Sequence, residues 1–346
     1  MSSALAITDP RHAPPERPSA FQRFALTLIR DERDLPFVTL SASMFLACAG
    51  SAVALYIPGV FRWYLGVAYV AMLFGCFFDR YILMLHNTSH RPLYRKDKAW
   101  MNHIIPWVLA PFAGQSPNTY YAHHIGMHHP ENNLPDDLST TMRFQRDSFI
   151  DFMRYFLRFF FFCWYELARY HKERGHTRLM RRVLVGEGLF IAALCGLLWL
   201  SFWPTMIVFG IPFLLARFLM MAGNWGQHAF IDASDPSNPY LNSIDCINTR
   251  YNRRCFNDGY HIGHHEKATR HWTDMPGNFE AKRQLYIDHD AVVFEGVDFF
   301  MVWFYLMLKR YDWLARRAVH IGPEPESEAA YIAFLRARTR PILSQR

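Results

Sequence analysis

The sequence lacks the patterns that mark disulfide-bonded or secreted proteins. Its six cysteines are scattered over 346 residues, with no CxxC pair and no spacing typical of disulfides. We interpret them as small buried hydrophobes in a reducing environment. Residues 1–36 are rich in proline and charge, but they lack the apolar stretch of a cleavable signal peptide. We predict that they form a flexible N-terminal tail.

Charge is almost absent from four long stretches of the chain. The first has no charged residue, and as a helix it would extend about 31 Å, which matches a hydrocarbon core of about 30 Å. Pro58-Gly59 predicts a turn after the first stretch, and Trp203-Pro204 predicts one after the third. The sequence therefore predicts four membrane-spanning helices in two hairpins, at residues 37–57, 64–85, 183–202 and 205–223.

Basic residues are scarce in these hairpins, although the chain as a whole has a net charge of +7. Only Arg62, Arg80 and Arg217 lie in or between the paired stretches. Because basic residues accumulate on the cytoplasmic side of membranes, we predict that both termini and residues 86–182 are cytoplasmic. The bacterial inner membrane is the expected location.

Two further apolar segments are poor candidates for crossings. Residues 147–170 are dense in phenylalanine but include Arg154 and Arg158, which favours an interfacial helix, with a buried cytosolic helix as the alternative. Residues 299–308 are too short to span and should lie on or beside the membrane. The predicted fold is an all-α membrane protein with a cytosolic helical cap. Its membrane domain covers residues 37–320, between the N-terminal tail and a C-terminal tail at 321–346.

Nine of the 17 histidines fall into four short clusters. Histidines three or four residues apart lie on one face of a helix and can bind the same ion. Nine imidazoles exceed the roughly six ligands of one transition-metal ion, so two ions are expected, but imidazole does not distinguish zinc, copper, iron and nickel. The clusters are His86 and His90; His124, His128 and His129; Asn224 and His228; and His261, His264 and His265.

The surroundings of the second cluster leave two questions open. His123 precedes His124, so the register is ambiguous; we take His124 as the ligand and His123 as a residue behind it. The PENNLPDD segment that follows could supply carboxylates from Glu131, Asp136 and Asp137, or it could be a solvated loop.

Four other polar residues are candidates for supporting roles. Asp258 and Asp274 could accept the second N–H of a ligating imidazole, or they could cap helices. Asp79 lies within the second predicted crossing and Arg217 within the fourth. We hypothesise that they pair and brace the two hairpins, with independent snorkelling as the alternative.

The motifs HNTSH, HIGMHH and YHIGHH, in this order and separated by paired crossings, resemble the three histidine boxes of integral-membrane fatty acid desaturases and hydroxylases. The resemblance covers about residues 37–310, and Asn224-x-x-x-His228 is similar to a fourth element of stearoyl-CoA desaturases. It implies O2 activation and hydrogen abstraction from a fatty acyl chain. It also implies two non-haem irons, held by His86, His90, His124, His128, His129, His228, His261, His264 and His265, with Asn224 as a weak or water-mediated ligand.

The resemblance favours a fatty acid desaturase but leaves other outcomes open. The second box has three residues before its His-His pair, where many desaturases have two. Related enzymes are hydroxylases of acyl chains or alkanes and decarboxylases that convert free fatty acids to terminal alkenes. A non-redox metal-binding membrane protein, such as a transporter, is the distant alternative. Transporters place their ligands near the bilayer midplane, whereas every histidine cluster here lies at or beyond the end of a predicted crossing.

The implied partners follow from what the chain does not supply. We find no haem-binding or flavin motif, so the electrons must come from an external donor. Basic residues beside the third box could dock an acidic ferredoxin, rubredoxin or cytochrome, or they could form a solvated face. These residues are Arg250, Arg253, Arg254 and Lys267. The other partners are a fatty acid or fatty acyl substrate and the lipid bilayer, and no nucleic acid is expected.

Overall fold

The computed structural model describes residues 5–342, and these residues are mostly helical. The first helices are α1 (Ala20–Leu28), α2 (Leu35–Tyr56), α3 (Trp63–Met72), α4 (Phe78–His90), α5 (Thr119–His123), α6 (His129–Glu131), α7 (Phe149–Glu173), α8 (Thr177–Leu200) and α9 (Phe202–Thr205). The others are α10 (Ile211–Gln227), α11 (Pro239–Asn242), α12 (Arg250–Arg254), α13 (His261–Glu266), α14 (Met275–Ala281), α15 (Arg283–Asp288), α16 (Phe299–Met307), α17 (Tyr311–Ala315) and α18 (Glu328–Ala337). Strands β1 (Asp245–Ile247) and β2 (Val293–Glu295) pair in parallel.

Four helical stretches are long and apolar enough to cross a membrane, which confirms the predicted fold class. Each overlaps one predicted crossing and is longer. The third begins six residues earlier than predicted, at Thr177, and ends two residues earlier, at Leu200. The second continues to His90, so the first two candidate ligands lie on the crossing helix itself. The stretches are Glu32–Tyr56, Trp63–His90, Thr177–Leu200 and Phe202–Gln227.

The chain divides into two compact units. We call residues 12–126 and 164–218 the membrane unit, because they include most of the four apolar stretches. The C-terminal unit comprises the described parts of residues 1–11, 127–163 and 219–346. Each unit contains its own group of clustered histidines.

The turns of both hairpins lie at the same end of the membrane unit. The rings of Trp63 and Trp203 are 4.8 Å apart, edge to face, and the hydroxyls of Tyr56 and Thr205 are 2.7 Å apart. The second turn falls at Ser201 rather than at the predicted Trp203-Pro204. Proline is tolerated there because the first turn of a helix needs no N–H donor from it.

Residues 104–118 belong to the membrane unit. They form a π-helix (Ile105–Leu109) and a 3₁₀-helix (Ala110–Ala113), and they turn at Gly114 with a φ of 69°. A Cβ on Gly114 would come within 2.2 Å of the Pro212 carbonyl oxygen, in the middle of the fourth apolar stretch. The close approach at Gly114 therefore packs this irregular segment against α10.

The charged residues of the crossings pair differently from the prediction. Arg217 donates to both carboxylate oxygens of Glu187, at 2.9 and 3.0 Å, and not to Asp79. Asp79 accepts a hydrogen bond from the backbone N–H of Arg80. Glu187 was missed because it lies just inside an apolar run that begins at residue 183. The ion pair therefore links α8 to α10.

The cysteines are free, but two of them are not buried. Cys76 and Cys195 are exposed on the second and third apolar stretches, so the prediction that they are buried was wrong. A small, weakly polar side chain on a helix that faces lipid carries no cost of the kind that drives burial in water.

The C-terminal unit has a hydrophobic core around α16. Phe299, Val302 and Leu306 are buried against residues that include Phe230 and Phe294. On the opposite face of α16 and at the start of α7, large apolar side chains are exposed: Phe149, Ile150, Phe300 and Phe304. This pattern fits helices that lie at a membrane interface better than helices buried in a cytosolic domain.

A buried arginine holds several segments of this unit together. The guanidinium of Arg146 donates to the carbonyls of Met142, Ala229, Arg338 and Arg340, at distances between 2.7 and 3.1 Å. Burial lowers the pKa of Arg146 to about 9, so it remains charged at neutral pH. Its contacts fix the backbone directly after His228 to the C-terminal part of the chain.

Neither terminal segment behaves as a loose tail where the structure describes it. Asp9 is buried within the C-terminal unit, and residues 20–28 form α1. Near the other end, Leu335 of α18 is fully buried in the core around α16. Single buried residues such as Asp9 leave no periodic pattern, so the sequence alone suggested flexibility.

Candidate metal centre

Three histidines converge within the membrane unit. His86 and His90 occupy the last turns of α4, and His124 follows α5. One ring nitrogen from each lies within 4.8 Å of the others, and the Nε2 atoms of His90 and His124 are 3.0 Å apart. Neutral imidazoles at such a spacing present lone pairs to one point, which suits a metal ion. His124, not His123, belongs to this group, in line with the predicted register.

The second box contains a π-helix over His124–His128, which the sequence analysis treated as an α-helix. In a π turn, backbone bonding runs from i to i+5 rather than from i to i+4. From their spacing of four residues, the sequence analysis predicted that His124 and His128 bind the same ion. In the structure, His128 groups instead with His228 and His265.

The C-terminal unit brings together histidines from three of the clusters. Ring nitrogens of His128, His228 and His265 lie within 4.8 Å of one another. The Nε2 of His261 is 3.0 Å from that of His265 and 3.4 Å from that of His228. These four imidazoles could hold one ion.

Two further histidines of this unit also face each other. The Nε2 atoms of His129 and His264 are 3.0 Å apart, and their rings are edge to face with centroids 4.8 Å apart. Since adjacent residues point to different sides of a helix, His128 and His129 present their nitrogens to different partners. All nine predicted histidine ligands thus lie beside at least one other.

The second ring nitrogens of two ligands have defined partners. Nδ1 of His128 is 2.7 Å from Asp137 Oδ2, and Nδ1 of His228 is 2.8 Å from the Asn242 carbonyl oxygen. An N–H donated from Nδ1 leaves the Nε2 lone pair for a metal. Asp137 is only 1% exposed and also accepts from Ser139. The alternative of a solvated loop is therefore wrong for this residue.

Electrostatics also favour metal binding in the C-terminal unit. Burial, and then the nearby His128, lower the pKa of His228 to about 4. Burial and the surrounding histidines likewise hold the pKa of His265 well below its usual value. Both rings are neutral at pH 7, which is the state that binds a cation. The donor set fits a transition metal.

Asn224 is oriented through its amide nitrogen. Nδ2 donates to the Tyr155 hydroxyl at 2.7 Å and to the Ser139 carbonyl oxygen at 3.1 Å. Asn224 lies four residues before His228, near the end of α10 and of the fourth apolar stretch. Its amide oxygen is the atom that could bind a metal-bound water. Tyr155, which holds this amide, was not identified from the sequence.

The third box is anchored by a carboxylate at the start of its helix. Asp245 of β1 accepts from the backbone N–H of Ile262 at 2.8 Å and from the Tyr286 hydroxyl at 2.6 Å. Burial raises the pKa of Asp245 to about 7, while these hydrogen bonds oppose the rise. The loop before this helix passes close to β1 at Gly259, since a Cβ at this position would lie 2.1 Å from the Cys246 carbonyl oxygen.

The N-terminal segment holds the loop that precedes the third box. Asp9 accepts from the backbone N–H groups of Asn248 and Thr249, the amide of Asn252 and the hydroxyl of Tyr260, at 2.7 to 3.1 Å. Tyr260 directly precedes the ligand His261. A carboxylate with four donors is strongly held, so the start of the chain is part of the support of this box.

The other predicted supporting residues have the following partners. Asp258 accepts from the Tyr251 hydroxyl at 2.7 Å. Asp274 accepts from Thr273, whose hydroxyl also lies 2.8 Å from Nδ1 of His271. Their roles as carboxylates behind ligands remain predictions.

Comparison with known proteins identifies the family. No curated protein and no solved structure matches the chain. The family model named Fatty acid desaturase matches residues 62–297, which is more than half of the sequence and contains all nine clustered histidines. The chain belongs to the fatty acid desaturase family.

Proposed function

We propose that this protein is a membrane-bound, O2-dependent non-haem di-iron oxidase of fatty acyl chains, with desaturation as its reaction. The observation that carries the proposal is the convergence of imidazole nitrogens in both units. Family membership supports a fatty acyl substrate and an oxidoreductase class. Two irons held by the nine histidines, with Asn224 acting through a water, account for the full donor set.

The overall reaction defines what must be supplied from outside. Desaturation removes two hydrogen atoms from adjacent carbons, and together with two electrons and two protons they reduce O2 to two waters. When bound, the iron pair supplies the O2 activation that abstraction from an unactivated C–H bond requires. The chain's own residues keep His228 and His265 neutral, orient the imidazoles and position the acyl chain.

An external donor must supply the two electrons. Arg250, Arg253, Arg254 and Lys267 are exposed in the C-terminal unit, close in sequence to the third box. A basic surface attracts acidic partners and accelerates their association at low salt. We propose that it docks an acidic ferredoxin, rubredoxin or cytochrome.

The proposed location is a bilayer with both termini and the metal centre on the cytoplasmic side. The four apolar stretches support membrane insertion, and the distribution of basic residues supports the orientation. The exposed apolar faces of α7 and α16 support contact with the interface.

The test is turnover by the purified full-length protein in detergent or nanodiscs. The protein is loaded with iron, supplied with O2 and a reductant, and incubated with medium- and long-chain acids and acyl thioesters. The expected product has two hydrogens fewer than the substrate. One added oxygen would instead establish a hydroxylase, and loss of one carbon as CO2 a decarboxylase. Iron binding with no O2 consumption would contradict the oxidase proposal and favour a metal-binding protein.

A further inference from the structure

The corner between α7 and α8 packs against the turn that carries His124. His171 lies in the last turn of α7 and is fully buried. The chain then reverses at Gly175, with a φ of 73°, and α8 begins at Thr177. These residues belong to the membrane unit, as does His124. The corner is therefore part of the same unit as the first histidine group.

His171 supplies a hydrogen-bond donor to this turn. Its Nε2 lies 3.1 Å from the Ala122 carbonyl oxygen, and because a carbonyl only accepts, Nε2 carries the proton. Ala122 is two residues before His124, where α5 gives way to the π turn. The last carbonyls of an α-helix have no regular donor within it. His171 thus bonds to the backbone at the point where the second box departs from an α-helix.

Gly126 makes room for the imidazole. A Cβ on this glycine would lie 2.9 Å from Cε1 of His171 and 2.8 Å from Cδ1 of Leu179 on α8. Both distances are shorter than van der Waals contact, so a larger residue would displace the ring or the turn. Close to the start of α5, a Cβ on Gly186 would lie 1.8 Å from the Pro117 carbonyl oxygen. α7 and α8 therefore contact α5 near both of its ends.

The burial of an imidazole at this position indicates a role for its donor. Nδ1 of His171 has no hydrogen-bond partner in the described part of the chain, and a buried polar atom without a partner costs free energy. An apolar side chain of similar size would fill the same space without that cost. What the imidazole adds is the bond from Nε2 to the Ala122 carbonyl.

We propose that His171 is a positioning residue for His124. Its bond to Ala122 fixes the backbone two residues before this ligand, and the space at Gly126 keeps the imidazole against the turn. His124 is thereby held beside His90, with their Nε2 atoms 3.0 Å apart. This inference rests on the proposed function, because it concerns a ligand of the proposed metal centre.

Titration of the metal-free, full-length protein with Co2+ against a competing chelator tests the proposal. We expect the wild type to bind two ions. His171→Met should weaken the binding of one ion about tenfold, the effect of one hydrogen bond in a buried site. His171→Gln should retain the wild-type affinity, since the glutamine amide nitrogen can take the place of Nε2 and donate the same bond.

Double variants assign the effect to the first histidine group. In a His86→Ala background, which already lacks a ligand of that group, His171→Met should cause no further loss of affinity for the remaining ion. In a His228→Ala background, the tenfold loss should persist.

The glycines provide a second, independent test. Gly126→Ala should resemble His171→Met, because the added methyl group displaces the imidazole. Gly196→Ala is the matched control, since this glycine of α8 is exposed and a Cβ there would have no neighbour within 4 Å. It should leave both affinities unchanged.

Hydrogen exchange of the metal-free protein separates positioning from folding. A turn that loses its donor opens more often, so the amides of residues 119–126 should exchange faster in His171→Met than in the wild type. His171→Gln should exchange at the wild-type rate. The unfolding temperature of each variant shows whether the whole protein is affected.

Unchanged Co2+ affinity in His171→Met, an equal loss in His171→Gln, or an equal loss at both ions would overturn the positioning role. A lower unfolding temperature with unchanged affinity would likewise reduce His171 to a residue of the core. The outcome is independent of catalysis. The predicted affinities in a protein without oxidase activity would contradict only the proposed function, and an active oxidase whose metal affinity ignores His171 would contradict only this inference.

Discussion

The two histidine groups are supported in different ways. In the membrane unit, His86 and His90 are one turn apart on a crossing helix, so regular helix geometry places them. In the C-terminal unit, the ligands come from separate short segments, and polar residues outside the boxes hold them, among them Asp9, Asp137 and Asp245. In the first group, α4 itself sets the positions of His86 and His90, and the membrane stabilises this helix. The second depends on specific buried contacts, so it should be more sensitive to substitutions outside the ligands.

Loss of a ligand should have the largest effect in either group. We expect His86→Ala and His228→Ala to lose bound iron and to reduce turnover below detection, because the neighbouring nitrogens cannot replace the missing donor. Iron content and product formation measure this. His103→Ala is the control, since His103 is exposed and outside both groups. Full activity in either ligand variant would contradict the assignment.

Arg146→Met should show how strongly the C-terminal unit depends on buried polar contacts. It leaves carbonyls of three segments without their donor, so we expect the free energy of unfolding to fall by about 3 to 5 kcal/mol. Thermal or denaturant unfolding measures the change. Arg154→Met is the matched control; its side chain is 71% exposed in an ion pair with Asp151, and such pairs contribute about 0 to 1 kcal/mol. Equal effects of the two would argue against the described network.

Asp137→Asn tests the support of a single ligand. The amide can present an N–H to Nδ1 of His128 and favour the wrong tautomer. We therefore expect metal affinity to fall by about 10- to 100-fold, with little loss of stability. Metal titration against a competing chelator gives the affinity, and Asp136→Asn, at an exposed neighbour, is the control. An affinity that is the same in both variants would remove Asp137 from the site.

The smallest effect is expected at the most distant support. Asp9→Asn retains one acceptor oxygen but loses the charge that binds four donors, so we expect a loss of about 1 to 2 kcal/mol. A partial loss of iron should accompany it, because Tyr260 adjoins His261. Glu16→Gln, at an exposed position of the same segment, should change neither stability nor iron. Wild-type iron content in Asp9→Asn would show that the N-terminal segment does not position the third box.

The sequence predicted the features that repeat at regular spacing. Four apolar stretches with almost no charge predicted the crossings, and histidines three or four residues apart predicted the ligands. It failed where a single residue decides the structure. The π turn after His124 depends on backbone bonding that leaves no side-chain pattern. Asp9 contacts a loop about 240 residues away, and one carboxylate so far in sequence cannot be matched to its partner.

The same limit explains the errors inside the membrane unit. Residues 104–118 contain Pro106 and Pro111 and are too short for a crossing, so hydropathy alone does not place them against α10. Arg217 was assigned to Asp79 because both are charged residues in crossings, but Glu187 is its partner. Pairing between helices requires knowledge of which faces meet, which single helices do not provide.

Iron counting combined with Mössbauer spectroscopy of the purified protein tests the central claim most directly. The account predicts two iron ions per chain, in nitrogen-rich sites. His86→Ala and His228→Ala should each lower the iron content and the nitrogen-ligated iron signal. A wild-type protein that turns over fatty acyl substrates with one iron or none per chain would contradict the account.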